Sequence, residues 1–236
     1  MVKNINIHGI MRSGIHAVTG WIIQNLDHDS VLYYNNIKMP YHLPDDPIKE
    51  DRLIKKSDTR IQEIVEYLTE NPESATTVIK SHESKTFDFA NFNASKNLNV
   101  IIIRNPYNTL ASSLEYIKNN GVCKDIVSDS RFDNLWTQHA EEFSGITSLL
   151  DNKVAILYDR FIVDPEYRLE IAEQLDIEVT NNIPPHLKMG GGSSFKSSNH
   201  QGYLNREELY KDHIDMIRLK SNSTVNNLWF NYICSS

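Results

Sequence analysis

The segment Gly9–His16, which reads GIMRSGIH, constrains the fold of this chain more than any other part of its sequence. It follows a short apolar run over residues 2–7 and precedes an apolar pattern of helical spacing that begins at Val18. A strand, a glycine-bracketed loop and a helix in this order surround the loop with free backbone N–H groups and the positive end of a helix dipole. We therefore predict an anion-binding loop at the start of an α/β domain.

The loop has the glycine spacing of the triphosphate-binding motif G-x-x-x-x-G-K-[ST], with Gly9 and Gly14 as its glycines. Ile15 replaces the lysine of that motif, and His16 replaces the hydroxyl residue that binds Mg²⁺. The positive charge lies instead inside the loop, at Arg12. The sequence therefore predicts a loop that holds a phosphate without handling Mg·ATP in the usual way.

The overall composition is that of one globular domain covering residues 1–236. Of the 236 residues, 40% are hydrophobic and 23% are charged, which suffices for a full core. The net charge of −7 argues against a general nucleic-acid binder. Two cysteines, Cys123 and Cys234, indicate free thiols in a reducing compartment. No apolar run approaches the ~20 residues of a membrane span, and the start lacks the apolar stretch of a signal peptide. We expect a cytoplasmic enzyme with no membrane or nucleic-acid partner.

Short β-branched segments alternate with amphipathic patterns along the chain. The predicted strands are Asn4–His8, Ser30–Tyr34, Thr76–Lys80, Asn99–Arg104 and Lys153–Tyr158. The predicted helical faces fall within residues 61–68, 110–117, 135–146 and 169–175. This alternation predicts a parallel central sheet with helices on both faces, an α/β fold of the P-loop nucleotide-binding type. Ligands in such sheets bind beyond the carboxyl ends of the strands.

Polar residues follow four of the five predicted strands. They are the Gly9–Gly14 loop, Lys80-Ser81-His82, Arg104-Asn105-Pro106 with Ser112 further on, and Tyr158-Asp159. Asn105 and Pro106 are the residues expected at the N-cap and first position of a helix. A later stretch, residues 190–196, is a loop by composition. Two long segments, Asn35–Ser57 and Glu83–Asn97, are predicted to be lids beside a site.

Taken together, these residues resemble the sulfotransferases that use 3′-phosphoadenosine 5′-phosphosulfate (PAPS). The matches run in the family's order along the chain, and each lies at a strand end or in a turn. Arg12-Ser13-Gly14 resembles the [KR]-S-G loop, Lys80-Ser81-His82 the K-[ST]-H segment, Arg104-Asn105-Pro106 with Ser112 the R-[DN]-P-x-x-x-x-x-S element, Tyr158-Asp159 the Y-E-D segment, and Ser193-Ser194-Phe195 the T-S-F segment.

The resemblance implies a sulfotransferase fold, PAPS as co-substrate, the 3′,5′-bisphosphate PAP as product, and no metal. It implies His82 as the general base, with Arg12 and Lys80 stabilising the transferred charge. It implies that Arg104 and Ser112 hold the 3′-phosphate, and that Tyr158 and Phe195 lie at the adenine. The implied cofactor-binding set is Gly9, Arg12, Ser13, Gly14, Ile15, His16, Arg104, Ser112, Tyr158, Ser194, Phe195, Lys196 and Arg206.

The chain also departs from the family pattern. Ala17 stands where a tryptophan usually completes the adenine sandwich, and no R-K-G loop occurs late in the chain. Lys196 and Arg206 are the nearest basic candidates to complete the 3′-phosphate site. His8 and His16 show no metal-ligand spacing, so no metal site is predicted. His139, on an apolar helix face, is expected to be a core or cleft-wall residue.

The chemistry of the proposed residues agrees with sulfuryl transfer. The planar, five-donor guanidinium of Arg12 suits a tetrahedral anion. Histidine, with an ordinary pKa near ~6.5, can take the proton of an attacking hydroxyl at neutral pH. Structural alternatives remain for several residues. Arg12 also suits a surface loop, Arg104 a helix cap or a pair with a carboxylate, and Ser112 helix packing. Tyr158 and Phe195 also suit a core, and His82 and Lys80 an exposed turn.

Two other function classes stay open at this point. The first is a kinase on a related fold, and the second is a non-catalytic nucleotide-binding module. If the chain is a sulfotransferase, we expect a small hydroxyl-bearing acceptor, because the net charge of −7 repels polyanions. The two predicted lids supply aromatic residues suited to such an acceptor, namely Tyr41, His42, Phe87, Phe89 and Phe92.

Overall fold

The computed structural model describes residues 3–26, 31–34, 77–83, 97–121, 127, 130–179 and 206–234. At positions 3, 31–34, 78, 80, 82, 83 and 97 the description covers the backbone alone. The helical face predicted for residues 61–68 and the loop predicted for residues 190–196 therefore lie outside the described residues. So do the predicted lids, apart from Glu83 and Asn97, which belong to strands.

A parallel sheet of five strands forms the centre of the described structure, in the order β2-β3-β1-β4-β5. The strands are β1 (Lys3–Gly9), β2 (Val31–Tyr34), β3 (Thr77–Glu83), β4 (Asn97–Ile103) and β5 (Lys153–Leu157). All five predicted strands are confirmed, with bounds that differ by a few residues. The short β-branched runs form these strands because their side chains pack well on a pleated, buried surface.

The observed bounds of β3 place the Lys80-Ser81-His82 segment inside the strand. The sequence predicts this segment after the strand, but β3 continues to Glu83 and contains it. The reason is the neighbouring β1, which continues to Gly9 and pairs with β3 residue by residue up to Glu83. At one edge of the sheet, β5 ends at Leu157, one residue before the predicted end, because Tyr158 begins a helix.

Helices connect the strands and follow the sheet. They are α1 (Ile15–Gln24), α2 (Pro106–Asn120), α3 (Arg131–Phe143), α4 (Tyr158–Val163), α5 (Pro165–Leu175), a 3-10 helix (Arg206–Tyr210), α6 (Ile214–Ser221), α7 (Ser223–Asn227) and a π-helical turn (Leu228–Ile233). The predicted start of α2 is confirmed. The Asn105 side chain accepts a hydrogen bond from the Asn108 amide at 2.9 Å, and Pro106 is the first helical residue.

The two faces of the sheet carry separate apolar clusters, as a doubly covered sheet requires. On one face, α1, α4 and α5 pack on Ile5, Ile7 and Ile79, and Trp21 meets Phe161 edge to face at 5.2 Å. On the other face, α2, α3 and the C-terminal helices form a cluster that includes Ile103 and Trp136. The predicted parallel sheet with helices on both faces is therefore confirmed.

Two predicted helix faces differ from those in the structure. The helical pattern of residues 135–146 predicts Ile146 on an apolar face. However, α3 ends at Phe143, and Ile146 is 51% exposed. The turn that follows α3 includes Gly145 at φ 74°, which carries the chain away from the helix axis. Leu169 is also exposed, because Arg168 occupies the neighbouring buried position on α5 and donates to the Phe161 carbonyl at 2.8 Å.

Candidate functional site

The topology places a crevice between the carboxyl ends of β1 and β4. From β1 the chain passes through α1 to β2 on one side of the sheet. From β4 it passes through α2 and α3 to β5 on the other side. Adjacent parallel strands whose connections leave in opposite directions open a ligand crevice at their carboxyl ends. The residues that follow β1 and β4 are therefore the first candidates for a site.

The loop after β1 is a tight turn that leads directly into α1. The Ser13 amide donates to the Ile10 carbonyl at 3.1 Å, and α1 begins at Ile15. Gly14 has φ 101°, and a Cβ at this position would overlap the ring of Tyr158. A Cβ at Gly9 would lie 2.7 Å from the Ser13 hydroxyl. The strand, loop and helix predicted from the glycine spacing are confirmed, and both glycines are required by close approach.

Arg12 joins this loop to α2. Its backbone has φ 71°, a conformation that few non-glycine residues adopt, and its carbonyl accepts a hydrogen bond from Arg104 Nη1 at 3.2 Å. The Nε atom of Arg12 donates to the Ser112 hydroxyl at 3.4 Å, and its guanidinium lies 5.3 Å from the ring centre of Tyr116. These contacts direct the charge of Arg12 toward α2 across the mouth of the crevice.

Arg104 follows β4 directly and is 3% exposed. Its guanidinium lies 5.2 Å from the ring centre of Tyr158, and its Nε atom lies 4.0 Å from Asp159 Oδ1. The other oxygen of Asp159 accepts a hydrogen bond from the Asn105 amide at 2.6 Å. Burial raises the pKa of Asp159, and the nearby Arg104 charge opposes that effect. The indole of Trp136 donates to the Arg104 carbonyl at 2.9 Å, which fixes the backbone at the end of β4.

Ser112 links Arg12 to a third arginine from far along the chain. The Arg206 Nη1 atom donates to the same Ser112 hydroxyl at 3.2 Å, and Ser112 and Arg206 are 1% and 4% exposed. Two guanidinium groups that share one acceptor oxygen must lie close together. Because like charges in a water-poor setting repel strongly, an anion between them would stabilise the arrangement. The structure therefore brings Arg206, one of two late basic candidates, to the predicted Ser112.

The hydroxyl of Ser13 is a second indication of an anion site. It is buried and has no hydrogen-bond partner among the residues that the structure describes. It lies in the loop that precedes α1, where the first amides of that helix have no intrahelical acceptor. A buried polar group without a partner is costly, and an oxygen ligand at the helix start would satisfy it.

For some of the other predicted site residues the structure describes the side chain, and for the rest it does not. Ile15 and His16 begin α1, with the Ile15 side chain packed in the core. Tyr158 is 6% exposed and supports the loop at Gly14. The backbones of Lys80 and His82 pair in register with Asn6 and His8, but their side chains are outside the described part of the chain. Ser194, Phe195 and Lys196 also lie outside the described residues.

Two other histidines are buried between the sheet and α3, His8 on β1 and His139 on α3 itself. His8 Nε2 lies 3.2 Å from Asn99 Oδ1, an oxygen that can only accept, so Nε2 is the donor. His139 Nδ1 donates to the Leu135 carbonyl at 2.8 Å. Burial lowers the pKa of His8 to about 4 and that of His139 to about 3. His139 is therefore a core residue, as expected.

Sequence reasoning missed several residues that surround the predicted site. In the sequence, Asp159 is notable only as part of the Tyr158-Asp159 motif. In the structure, its carboxylate accepts a hydrogen bond from the Asn105 amide and lies near Arg104. Tyr116 and Asn108 lie four residues after and before Ser112, on the same face of α2. That spacing was the available signal, since residues one helical turn from the predicted ligand contact Ser112 are its nearest neighbours on the helix.

The fold resembles that of a solved sulfotransferase. The crystal structure of mouse sulfotransferase SULT7A1 complexed with PAP matches with a TM-score of 0.53 at 12% sequence identity, over 97% of this chain and 88% of that chain. Retinol dehydratase in complex with androsterone and inactive cofactor PAP matches with a TM-score of 0.45 at 14% identity, over 93% of this chain and 81% of that chain. No model of a known protein family matches the sequence, and no curated protein matches it either.

The chain therefore has the α/β fold of the sulfotransferases, as the sequence resemblance predicted. Within the described ranges, no helix is both long and apolar enough to cross a membrane. Among the same residues, no group of three or more histidine, cysteine or acidic side chains could hold a metal ion.

Proposed function

We propose that this chain is a PAPS-dependent sulfotransferase that transfers a sulfuryl group to the hydroxyl of a small acceptor. One observation carries the proposal. Arg12, Arg104 and Arg206, from three distant parts of the chain, converge at the crevice between β1 and β4, and two of them share the hydroxyl of Ser112. The fold match and the ordered motifs support the same conclusion.

The described residues fit a nucleotide that carries two separate anionic groups. The Ser13 hydroxyl and the first amides of α1 fit the 5′-phosphosulfate. Arg206 and Ser112 fit the 3′-phosphate, because guanidinium groups bind phosphate oxygens in paired, charge-assisted hydrogen bonds, and Arg104 adds positive charge at the Arg12 carbonyl. Arg12 lies between the two groups, since its backbone belongs to the loop and its side chain reaches α2.

PAPS supplies an activated sulfuryl group when bound. Charge that develops on the transferred group would be balanced by the loop amides, Arg12 and Lys80, and one such fixed donor is worth roughly 3–4 kcal/mol. His82 is proposed as the base that removes the proton of the acceptor hydroxyl. Its backbone position in β3, opposite His8, lies one residue before the carboxyl end of the strand, beside the β1 loop.

The kinase alternative predicts a different response to metal ions. Ile15 and His16 stand where a triphosphate loop has its lysine and its Mg²⁺ ligand, so we expect turnover to survive EDTA. Complete loss with EDTA and recovery with Mg²⁺ would favour phosphoryl transfer. Binding of PAP with no turnover of PAPS across a panel of phenols, alcohols, sugars and desulfated glycosaminoglycans would favour the non-catalytic module.

Titration calorimetry with PAP and AMP tests the proposal directly. The wild-type protein should prefer PAP by at least about tenfold, since a charge-assisted contact is worth about 1.5–3 kcal/mol. Arg104→Ala should remove most of that preference. Arg160→Ala is the matched control, because Arg160 is exposed and pairs with Asp164. Equal affinity of the wild type for PAP and AMP would overturn the sulfotransferase proposal.

A further inference from the structure

The 3-10 helix Arg206–Tyr210 lies along one face of α2. Its first residues meet Asn108, the side chain of Arg206 meets Ser112, and its last residue meets Glu115. The three α2 residues are spaced four and three positions apart, which is the spacing of neighbours on one helix face. The short helix that carries Arg206 is therefore attached to the same face of α2 that carries Ser112, the partner of the Arg206 side chain.

The attachment at Asn108 satisfies the start of the short helix. The Asn108 Oδ1 atom accepts hydrogen bonds from the Arg206 amide at 2.9 Å and the Glu207 amide at 3.3 Å. The first amides of a helix have no acceptor within it, so a side-chain oxygen at this point defines where the helix begins. Asn108 is 2% exposed, and losing these bonds would leave two amides without their acceptor.

The attachment at Glu115 holds the other end. The Tyr210 hydroxyl donates to Glu115 Oε2. Burial, together with the Glu115 carboxylate, raises the pKa of Tyr210 well above its ordinary value, so the tyrosine remains a donor. A 3-10 helix of this length has weak internal hydrogen bonds, and its position depends on such outside contacts.

We propose that Asn108 and Glu115 are positioning residues that hold Arg206 at Ser112 and thereby set the selectivity for a 3′-phosphate. The inference rests on the proposed function and adds the elements that make the third arginine effective. Phosphate recognition by a guanidinium requires its fork to be placed within a fraction of an ångström. Asn108 and Glu115 act on the ligand through Arg206.

A purely structural role makes a different prediction. If these residues only stabilise the fold, their loss should weaken PAP and AMP binding alike. If they position Arg206, their loss should weaken PAP binding alone, because AMP lacks the 3′-phosphate. The measurement is therefore the affinity for each nucleotide by titration calorimetry, with thermal unfolding recorded for every variant.

Asn108→Leu keeps the side-chain size but removes the acceptor. We expect PAP affinity to fall about 5- to 30-fold, as for the loss of one or two hydrogen bonds, while AMP affinity changes less than about twofold. In an Arg206→Met background, Asn108→Leu should have no further effect on PAP affinity. Additive losses in the two variants, or an equal loss for PAP and AMP, would overturn the inference.

A second pair keeps the test decisive if Asn108→Leu does not fold. Tyr210→Phe removes the donor and should weaken PAP binding about 3- to 10-fold. Glu115→Gln retains an acceptor oxygen and should stay within about twofold of the wild type. Unchanged PAP selectivity in Tyr210→Phe would overturn the role of Glu115.

The outcomes distinguish this inference from the proposed function. If the wild type itself does not prefer PAP, the proposed function fails. A wild-type preference for PAP that survives Asn108→Leu defeats only this inference.

Discussion

Arg12 has a left-handed backbone conformation, and its carbonyl is held by the side chain of Arg104. Such conformations persist only where surrounding contacts determine them, and they cluster at ligand sites. Gly14, two residues later, also has a positive φ and lies against Tyr158. Individual backbone positions of this loop, and not its side chains alone, thus shape the place where we propose that an anion binds.

Gly14→Ala tests the need for close approach. A left-handed alanine costs about 1–2 kcal/mol wherever it occurs, and at Gly14 the new methyl group would also overlap the Tyr158 ring. We expect a clearly larger loss of unfolding free energy than in Gly121→Ala, along with lost PAP binding. Gly121 is the matched control because it has φ 68° and a Cβ added there would meet nothing within 4 Å among the residues that the structure describes. Equal losses in urea unfolding would show that the overlap is relieved by movement of Tyr158.

His82→Ala tests the proposed base. The proton of the acceptor hydroxyl would have no acceptor, so kcat should fall by roughly 10²–10⁴ while PAP affinity stays near that of the wild type. Steady-state kinetics with a responsive acceptor and calorimetry with PAP measure the two quantities. His16→Ala, in the first turn of α1, is the comparison variant. Normal turnover in His82→Ala, with a large loss in His16→Ala, would move the base to His16.

At the scale of elements, α2 is the part of the fold that links the site together. Its N-cap Asn105 lies beside Arg104, and its buried face carries Asn108 and Ser112. The contacts of Arg12 and Arg206 both end on Ser112. The orientation of this one helix therefore decides whether Arg12 and Arg206, from distant parts of the chain, can meet at Ser112.

Asn105→Ala tests this role of α2. Losing an N-cap side chain costs about 1 kcal/mol of stability, and the freed helix start should also displace Ser112. Asp164→Ala provides a matched control, because Asp164 caps α5 through the Tyr167 amide at 3.1 Å and Pro165 follows it. Both variants should lose similar stability in urea unfolding, but only Asn105→Ala should weaken PAP binding. An equal effect of the two variants on PAP affinity would contradict the assignment.

For the molecule as a whole, the two faces of the sheet differ in polarity. The face under α1 is mainly apolar, whereas the face under α3 includes Asn6, His8 and Asn99 joined by side-chain hydrogen bonds. Glu142 on α3 is also buried and accepts hydrogen bonds from Lys153, Thr147 and the Leu149 amide. The titratable members of these networks, such as His8 and Glu142, stabilise the fold only while each keeps its protonation state.

The buried histidines predict a loss of stability in mild acid. The folded state holds His8 and His139 neutral, with pKa values of about 4 and about 3, whereas both have pKa values near 6.5 when unfolded. Their contribution is therefore present above about pH 6.5 and is lost as the pH falls toward the folded values. Urea unfolding at pH 7.5 and pH 5 should differ by about 2 kcal/mol for each histidine.

One variant separates this effect from general acid denaturation. His139→Gln should reduce the difference between the two pH values by about half. A wild-type stability that is the same at pH 7.5 and pH 5 would contradict the burial of neutral histidines.

Local patterns in the sequence determined the five strands, the glycine loop, the helix start at Asn105 and the position of Arg104 at a strand end. These features depend on neighbours within a few residues, which is the range that periodicity and capping preferences report. Only the tertiary structure decided that β3 extends through His82, that Arg206 reaches Ser112 across 94 residues of sequence, and that Asn108 holds its backbone. Such contacts arise from the packing of distant segments, whose positions no local pattern specifies.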